Sequence, residues 1–292
     1  YYTSEKSTAC IDLMLFLIHE LYGDNYTQAA MLDLEYNPTL GNLHSGIEVN
    51  NQQTITTSEG YQLAKSKIKS TPIDTVGILV YDGAFTLDFL GPLCVLSSVD
   101  EMHVELIGYK KGLVKSGRTV FNAKHSIADI DKLDILIIPG GSIGTLNMSQ
   151  DTILRKWILE IDKNSKYTAS VCTGAWILGE AGLLRNKNAT SHWYMKKEVL
   201  THYQAKPVDK RFIKDGKYWT SAGVSAGIDF CFALLNELYG TTTTSDAFSR
   251  LAYFPEPIIK GGIPENTNPL VVDMMNQMYN YMMLKRLRKN GI

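Results

Sequence analysis

Between Tyr167 and Gly182 the chain leaves a short buried strand and enters a helix with almost nothing between them, which constrains the fold more than any other stretch. Tyr167 to Val171 are small or β-branched, the pattern of a buried strand. Ala175 to Ala181 carry apolar residues at helical spacing, and Gly182 ends them. Only Cys172, Thr173 and Gly174 separate the two elements. A strand that turns sharply into a helix at one nucleophilic side chain is a nucleophile elbow, here with Cys in place of Ser. The first free N–H groups of such a helix point back at the sulfur, and its dipole favours thiolate over thiol. Gly174 lets the backbone come close to whatever Cys172 attacks. The same pattern also fits a small buried apolar cysteine, since free Cys is commonly buried.

Other apolar runs have the same character. Thr75 to Tyr81 and Leu133 to Ile138 read as strands buried on both faces and therefore parallel. His103 to Tyr109 predicts a further strand and Leu113 to Asn122 a hairpin-like pair. Val208 to Ile213 and Lys217 to Ser221 form strands around the turn at Asp215-Gly216. The stretch Phe85 to Pro92 leads into a helix to about Val99. Further helices are expected at Thr152 to Ile161, Trp193 to His202, Ser225 to Tyr239 and Ser245 to Tyr253. A Pro/Gly-rich connection from Pro255 to Pro269 precedes a Met-rich terminal helix. Strands alternating with helices make an α/β fold, a flavodoxin-like sandwich on a mostly parallel sheet. Sites in such sheets form beyond the carboxyl ends of the strands. Three of those ends converge: the loop with Asp88, the Gly-rich turn Pro139 to Gly144, and the elbow.

The opening of the chain repeats a later part of it. Tyr1-Tyr-Thr-Ser sets against Tyr218-Trp-Thr-Ser, Glu20-Leu-Tyr-Gly23 against Glu237-Leu-Tyr-Gly240, and Tyr36-Asn-Pro38 against Tyr253-Phe-Pro255, at one constant offset. This is an internal repeat. Residues 1–50 are expected to be the last third of a preceding domain copy, helical from Thr8 to Tyr22 and without chemistry of their own. Lys6 and Cys10 stand there in place of Gly223 and Gly227. Residues 51–74 are polar and read as a linker, with a surface helix from Ser58 to Lys69.

The chain has 292 residues and a formal net charge of −1, so no basic surface points to nucleic acid. No apolar run is long enough to span a membrane and no signal peptide is visible. Four cysteines, Cys10, Cys94, Cys172 and Cys231, lie far apart without metal-type spacing. That fits free thiols in a reducing compartment, and the cytoplasm is the expected location. Cys94 and Cys231 fall on apolar helical faces and read as core.

Five segments in order carry a resemblance: Phe85 to Pro92, Ile138-Pro-Gly-Gly141, Ser170-Val-Cys-Thr-Gly174, Ala189-Thr-Ser-His-Trp193 and Ala226-Gly-Ile-Asp-Phe230. Together they resemble the ThiJ/PfpI superfamily, with its class I glutamine amidotransferase-like fold, and within it the isocyanide hydratase branch, over residues 75–265. The resemblance implies that Cys172 is the nucleophile and Asp88 its acidic partner. A carboxyl group beside a thiolate in a partly apolar pocket is pushed toward its neutral form and can donate a proton. Asp88 also fits a helix N-cap. The amides of Gly141 and Thr173 are candidates for polarising the substrate, with Gly140 allowing close approach; a tight turn without a ligand is the alternative. Thr173 stands where protease- and deglycase-like relatives carry His, and its hydroxyl orients a water or merely starts the helix. His192 is a tempting base, but a packing or loop-bracing role is preferred. Gly223 and Ser225 precede a helix expected to line the pocket, whose size depends on side chains such as Trp176.

The resemblance implies hydration of a small-molecule isocyanide to an N-substituted formamide, without metal or organic cofactor, by a homodimer. Two rivals stand beside it. One is a redox- or ligand-sensing domain like those of AraC-type regulators, although only Leu270 to Ile292 follow Pro269, too few for a helix-turn-helix module. The other is a glyoxalase- or deglycase-like enzyme acting on reactive aldehydes.

Overall fold

A computed structural model describes residues 9–36, 75–255 and 259–292. The expected linker at 51–74, its surface helix, and the proposed helix start at Thr8 lie outside the described residues. Two helices open the chain, α1 (Ala9–Tyr22) and α2 (Asp24–Asp33). The α/β part then runs β1 (Val76–Val80), α3 (Thr86–Leu96), β2 (Val104–Gly108), β3 (Gly112–Ser116), β4 (Thr119–Ala123), β5 (His125–Ser126) and β6 (Ile135–Ile138). It continues with α4 (Ile143–Ser149), α5 (Thr152–Asn164), β7 (Tyr167–Val171), α6 (Gly174–Glu180), β8 (Asn188–Ala189), α7 (Lys196–His202) and β9 (Lys206–Pro207). The strands β10 (Phe212–Asp215) and β11 (Tyr218–Ser221) lead into α8 (Ala226–Leu251), and α9 (Pro269–Tyr279), a π-helical turn (Asn280–Leu284) and α10 (Lys285–Lys289) follow.

The main sheet has the order β10-β11-β7-β6-β1-β2-β5. All of its pairings are parallel except β10 with β11. β1, β6 and β7 are buried along their whole length, as their unbroken apolar or small sequences require of strands covered on both faces. From β1 the chain builds outward to β2 and then returns to the other side with β6. The carboxyl ends of β1 and β6 therefore flank a topological switch point, where ligands of open α/β sheets bind.

Several boundaries differ from expectation for local reasons. The helix expected from Trp193 begins only at Lys196, because Met195 takes a left-handed conformation (φ 50). The strand expected from Val208 begins at Phe212; Lys206–Pro207 pairs instead with Asn188–Ala189 in a small sheet of its own. α4 was not expected, being short and built from Gly, Thr and Asn, which favour helix weakly. Cys231 is buried but Cys94 is exposed, so only the first belongs to the core.

α8 is two helices joined at Gly240, whose φ 79 and ψ 177 no side chain-bearing residue adopts cheaply. The opening pair bends in the same way at Gly23, with φ 77 and ψ −176. Further details coincide. Thr27 Oγ1 donates to the Gly23 carbonyl at 3.1 Å and Thr244 Oγ1 to the Gly240 carbonyl at 3.0 Å. Glu35 and Ala252 both end their helices at φ 45. The Tyr36 hydroxyl donates to Asp12 at 2.6 Å, and that of Tyr253 to Asp229 at 2.5 Å. The two stretches related in sequence thus share these local features.

Candidate active site

Cys172 follows the last residue of β7 and precedes α6 by one residue, at φ 58. A non-glycine residue in the left-handed region stores about 1–3 kcal/mol of strain, which the surroundings must over-determine. They do so here by three contacts. Its N–H donates to the Ser221 carbonyl at 3.0 Å, and its carbonyl accepts from Ser191 Oγ at 3.0 Å. The Thr173 N–H hydrogen-bonds the sulfur. That amide favours thiolate, as expected of a helix start, but burial outweighs it. Burial pushes the Cys172 thiol up, and the carboxyl groups of Asp88 and Glu35 push it further.

Asp88 lies in the first turn of α3 and is fully buried. It is not the N-cap, which is Phe85. Its Oδ2 accepts the Gly140 N–H at 2.8 Å, while Oδ1 has no hydrogen-bond partner of ordinary geometry. Burial raises its pKa to about 8, against the lowering effect of the Gly140 amide and the Cys172 side chain. Asp88 therefore favours the neutral acid at neutral pH, with its carboxyl against the Cys172 side chain. The two groups titrate as a coupled pair.

The glycines form the tight turn that is the alternative to substrate binding, a Cβ at Gly140 standing 2.6 Å from Thr173 N and one at Gly141 closer still to the Gly83 carbonyl oxygen. The Gly140 amide is spent on Asp88, and the Gly141 amide donates to Thr173 Oγ1 at 3.0 Å. Thr173 Oγ1 in turn donates to the Gly141 carbonyl at 2.6 Å and lies 3.1 Å from Thr145 Oγ1. This hydroxyl makes no capping bond to α6; it clamps the Gly-Gly turn to the elbow. Gly223 does not line the cavity. A Cβ there would stand 2.5 Å from Glu35 Cβ, so Gly223 is the notch that receives Glu35 of the opening segment. Ser225 holds the same segment, its N–H on the Leu34 carbonyl at 3.1 Å and its Oγ on the Glu35 carbonyl at 2.8 Å.

His192 is buried and its Nδ1 accepts the Tyr194 N–H at 3.3 Å. Burial and Lys196 lower its pKa to about 3, so it is a neutral side chain at neutral pH, bonded to the backbone of Asp33. Trp176 is wholly buried in a cluster with Leu32 and Tyr194 and does not reach the cavity.

The cavity above Cys172 measures about 640 Å³. Its walls are largely apolar, with Phe85, Leu87, Met278, Met282 and Met283 among the lining residues. Asp33 of α2 also lines it, its Oδ1 accepting the Tyr279 hydroxyl. The opening segment therefore reaches the site it was expected to leave alone. Neither Asp33 nor the methionine wall carried a motif; the Met-rich composition of the last helix was the one available signal.

Residues 74–237 match the DJ-1/PfpI family. The chain belongs to that family. Isonitrile hydratase from Pseudomonas putida is 34% identical over 201 residues, which are 68% of this chain and 86% of that protein. Protein dj-1beta of Drosophila melanogaster is 26% identical over 56% of this chain and 88% of its own length. Among solved structures, a ThiJ/PfpI family protein from Pseudomonas syringae superposes with a TM-score of 0.73 at 26% identity, covering 81% of this chain and 97% of that one. Asp33 and Met278 to Met283 lie outside the residues of the DJ-1/PfpI match. Among the described residues no helix is long and apolar enough to cross a membrane.

Proposed function

We propose that this DJ-1/PfpI protein hydrates isocyanides to N-substituted formamides by covalent thiol catalysis. The observation that carries the reading is the buried, proton-bearing Asp88 carboxyl beside Cys172, opening on an apolar cavity. The similarity to the Pseudomonas putida isonitrile hydratase supports it. In the reactive form the pair holds one proton, on Asp88, and the sulfur is thiolate. Asp88 protonates the isocyanide carbon as the Cys172 sulfur bonds to it, leaving a thioimidate and the Asp88 carboxylate. The carboxylate then takes a proton from water as its oxygen adds to that carbon, and passes the proton to nitrogen. Collapse of the adduct breaks the C–S bond, returns the hydroxyl proton to Asp88 and releases the formamide. Water is the only co-reactant. The Thr173 amide steadies the thiolate whenever it forms.

The opening helical pair is read as the tail of a preceding copy of the same domain; its shared bend, caps and Tyr–Asp bonds support this.

The test is formamide production from an aryl isocyanide by wild type, Cys172→Ala and Asp88→Asn. Turnover should vanish in the first variant and fall at least about 100-fold in the second. Rates should be bell-shaped in pH, because both the doubly protonated and the fully ionised pair are inactive. Folded wild type that produces no formamide would end this reading.

A further inference from the structure

Among the described residues Asp33 is the one carboxyl side chain lining the cavity, and burial pushes its pKa up. Holding a carboxyl group at a largely apolar wall is costly unless its oxygens find partners. Asp33 has one bonded. Oδ1 accepts the Tyr279 hydroxyl, while no partner among the described residues reaches Oδ2. Nor does the helical pair itself need an acid here. In the repeated pair the matching residue is Arg250, of opposite charge, bonded to Asp246 on an exposed face. The acid is thus peculiar to the copy that faces the cavity. It is also held firmly in place. The backbone of Asp33 bonds His192, Leu32 accepts from Trp193 Nε1 at 3.2 Å, and Glu35 Oε1 accepts the Trp193 N–H at 2.7 Å. Met278, Met282 and Met283 line the same cavity as this acid and the thiol and offer an adaptable apolar surface.

The geometry points to Asp33 as a specificity-determining residue for a substrate whose substituent is an apolar chain ending in an ammonium group. The chain lies along the methionine wall and the ammonium meets Asp33 Oδ2. As far as the head group is an isocyanide, this rests on the hydratase reading; the recognition of the tail does not.

Two matched probes test it, an ω-ammonioalkyl isocyanide and the alkyl isocyanide with a methyl in place of the ammonium. Wild type should prefer the first in kcat/KM by about tenfold, the scale of one charge-assisted hydrogen bond. The preference should collapse to near unity in Asp33→Asn and persist in Tyr279→Phe. Equal loss in both variants would show that Asp33 only anchors Tyr279, and equal use of both probes by wild type would overturn the assignment. Calorimetric binding of the two corresponding formamides to Cys172→Ala reads the same preference without chemistry. If no isocyanide turns over but the ammonium formamide still binds tenfold tighter, the hydratase reading fails and the role of Asp33 stands; no difference in binding defeats it.

Discussion

The pair α1–α2 and the two halves of α8 bend at glycines of the same conformation, yet only the first pair reaches the cavity. Where they match, the residues serve the pair itself: Gly23 with Gly240, Thr27 with Thr244, and the tyrosine–aspartate bonds. Where they differ, the opening pair presents Asp33 and Glu35, and α8 presents Arg250 and Ala252. One backbone thus serves as scaffold in one place and as pocket wall in another.

The largest effect that would sharpen this contrast concerns Glu35. Burial raises its carboxyl from 4.5 to about 7. The folded chain therefore binds a proton that the unfolded chain has released between those values, and this contribution is lost as pH rises through about 7. Urea titrations should show stability falling by about 3 kcal/mol across that window, flattened in Glu35→Gln. An unchanged pH dependence in the variant would mean that Glu35 is solvated. Next comes Gly223→Ala, which pushes a methyl into Glu35 and should cost about 2 kcal/mol while loosening the opening segment. Faster proteolysis near residue 36 would report the loosening, and wild-type resistance would contradict it.

Gly23→Ala and Gly240→Ala should each cost between about 1 and 2 kcal/mol, alike because the two backbones are alike. A marked inequality in their unfolding midpoints would break the equivalence of the pairs. The smallest effect, about 1 kcal/mol each, is expected for Tyr36→Phe and Tyr253→Phe, which each lose one hydrogen bond to aspartate.

The elements that carry Cys172 and Asp88 were legible because strands buried on both faces and an abrupt strand-to-helix turn leave strong local patterns. The elbow, the Gly-Gly turn and the loop after β1 meet as the α/β topology requires. What escaped the sequence depends on contacts across long separations. Nothing local tells that Gly223 makes room for Glu35, or that Asp33 meets Tyr279. Spacing alone also could not tell which amides remain free: those of Gly140 and Gly141 are taken by Asp88 and Thr173. The dipole argument for the thiolate had the right direction, but its strength relative to burial appears only when the depth of Cys172 is known.

The cavity wall joins Asp33, near one end of the chain, to Met283, near the other. A ribosome extends a chain by about 5–20 residues each second, N-terminus first. The strand and helix that hold Cys172 are thus complete well before Met278 to Met283 emerge. The thiol spends that interval without the methionine wall of its cavity, so its surroundings in a nascent chain differ from those in the finished protein.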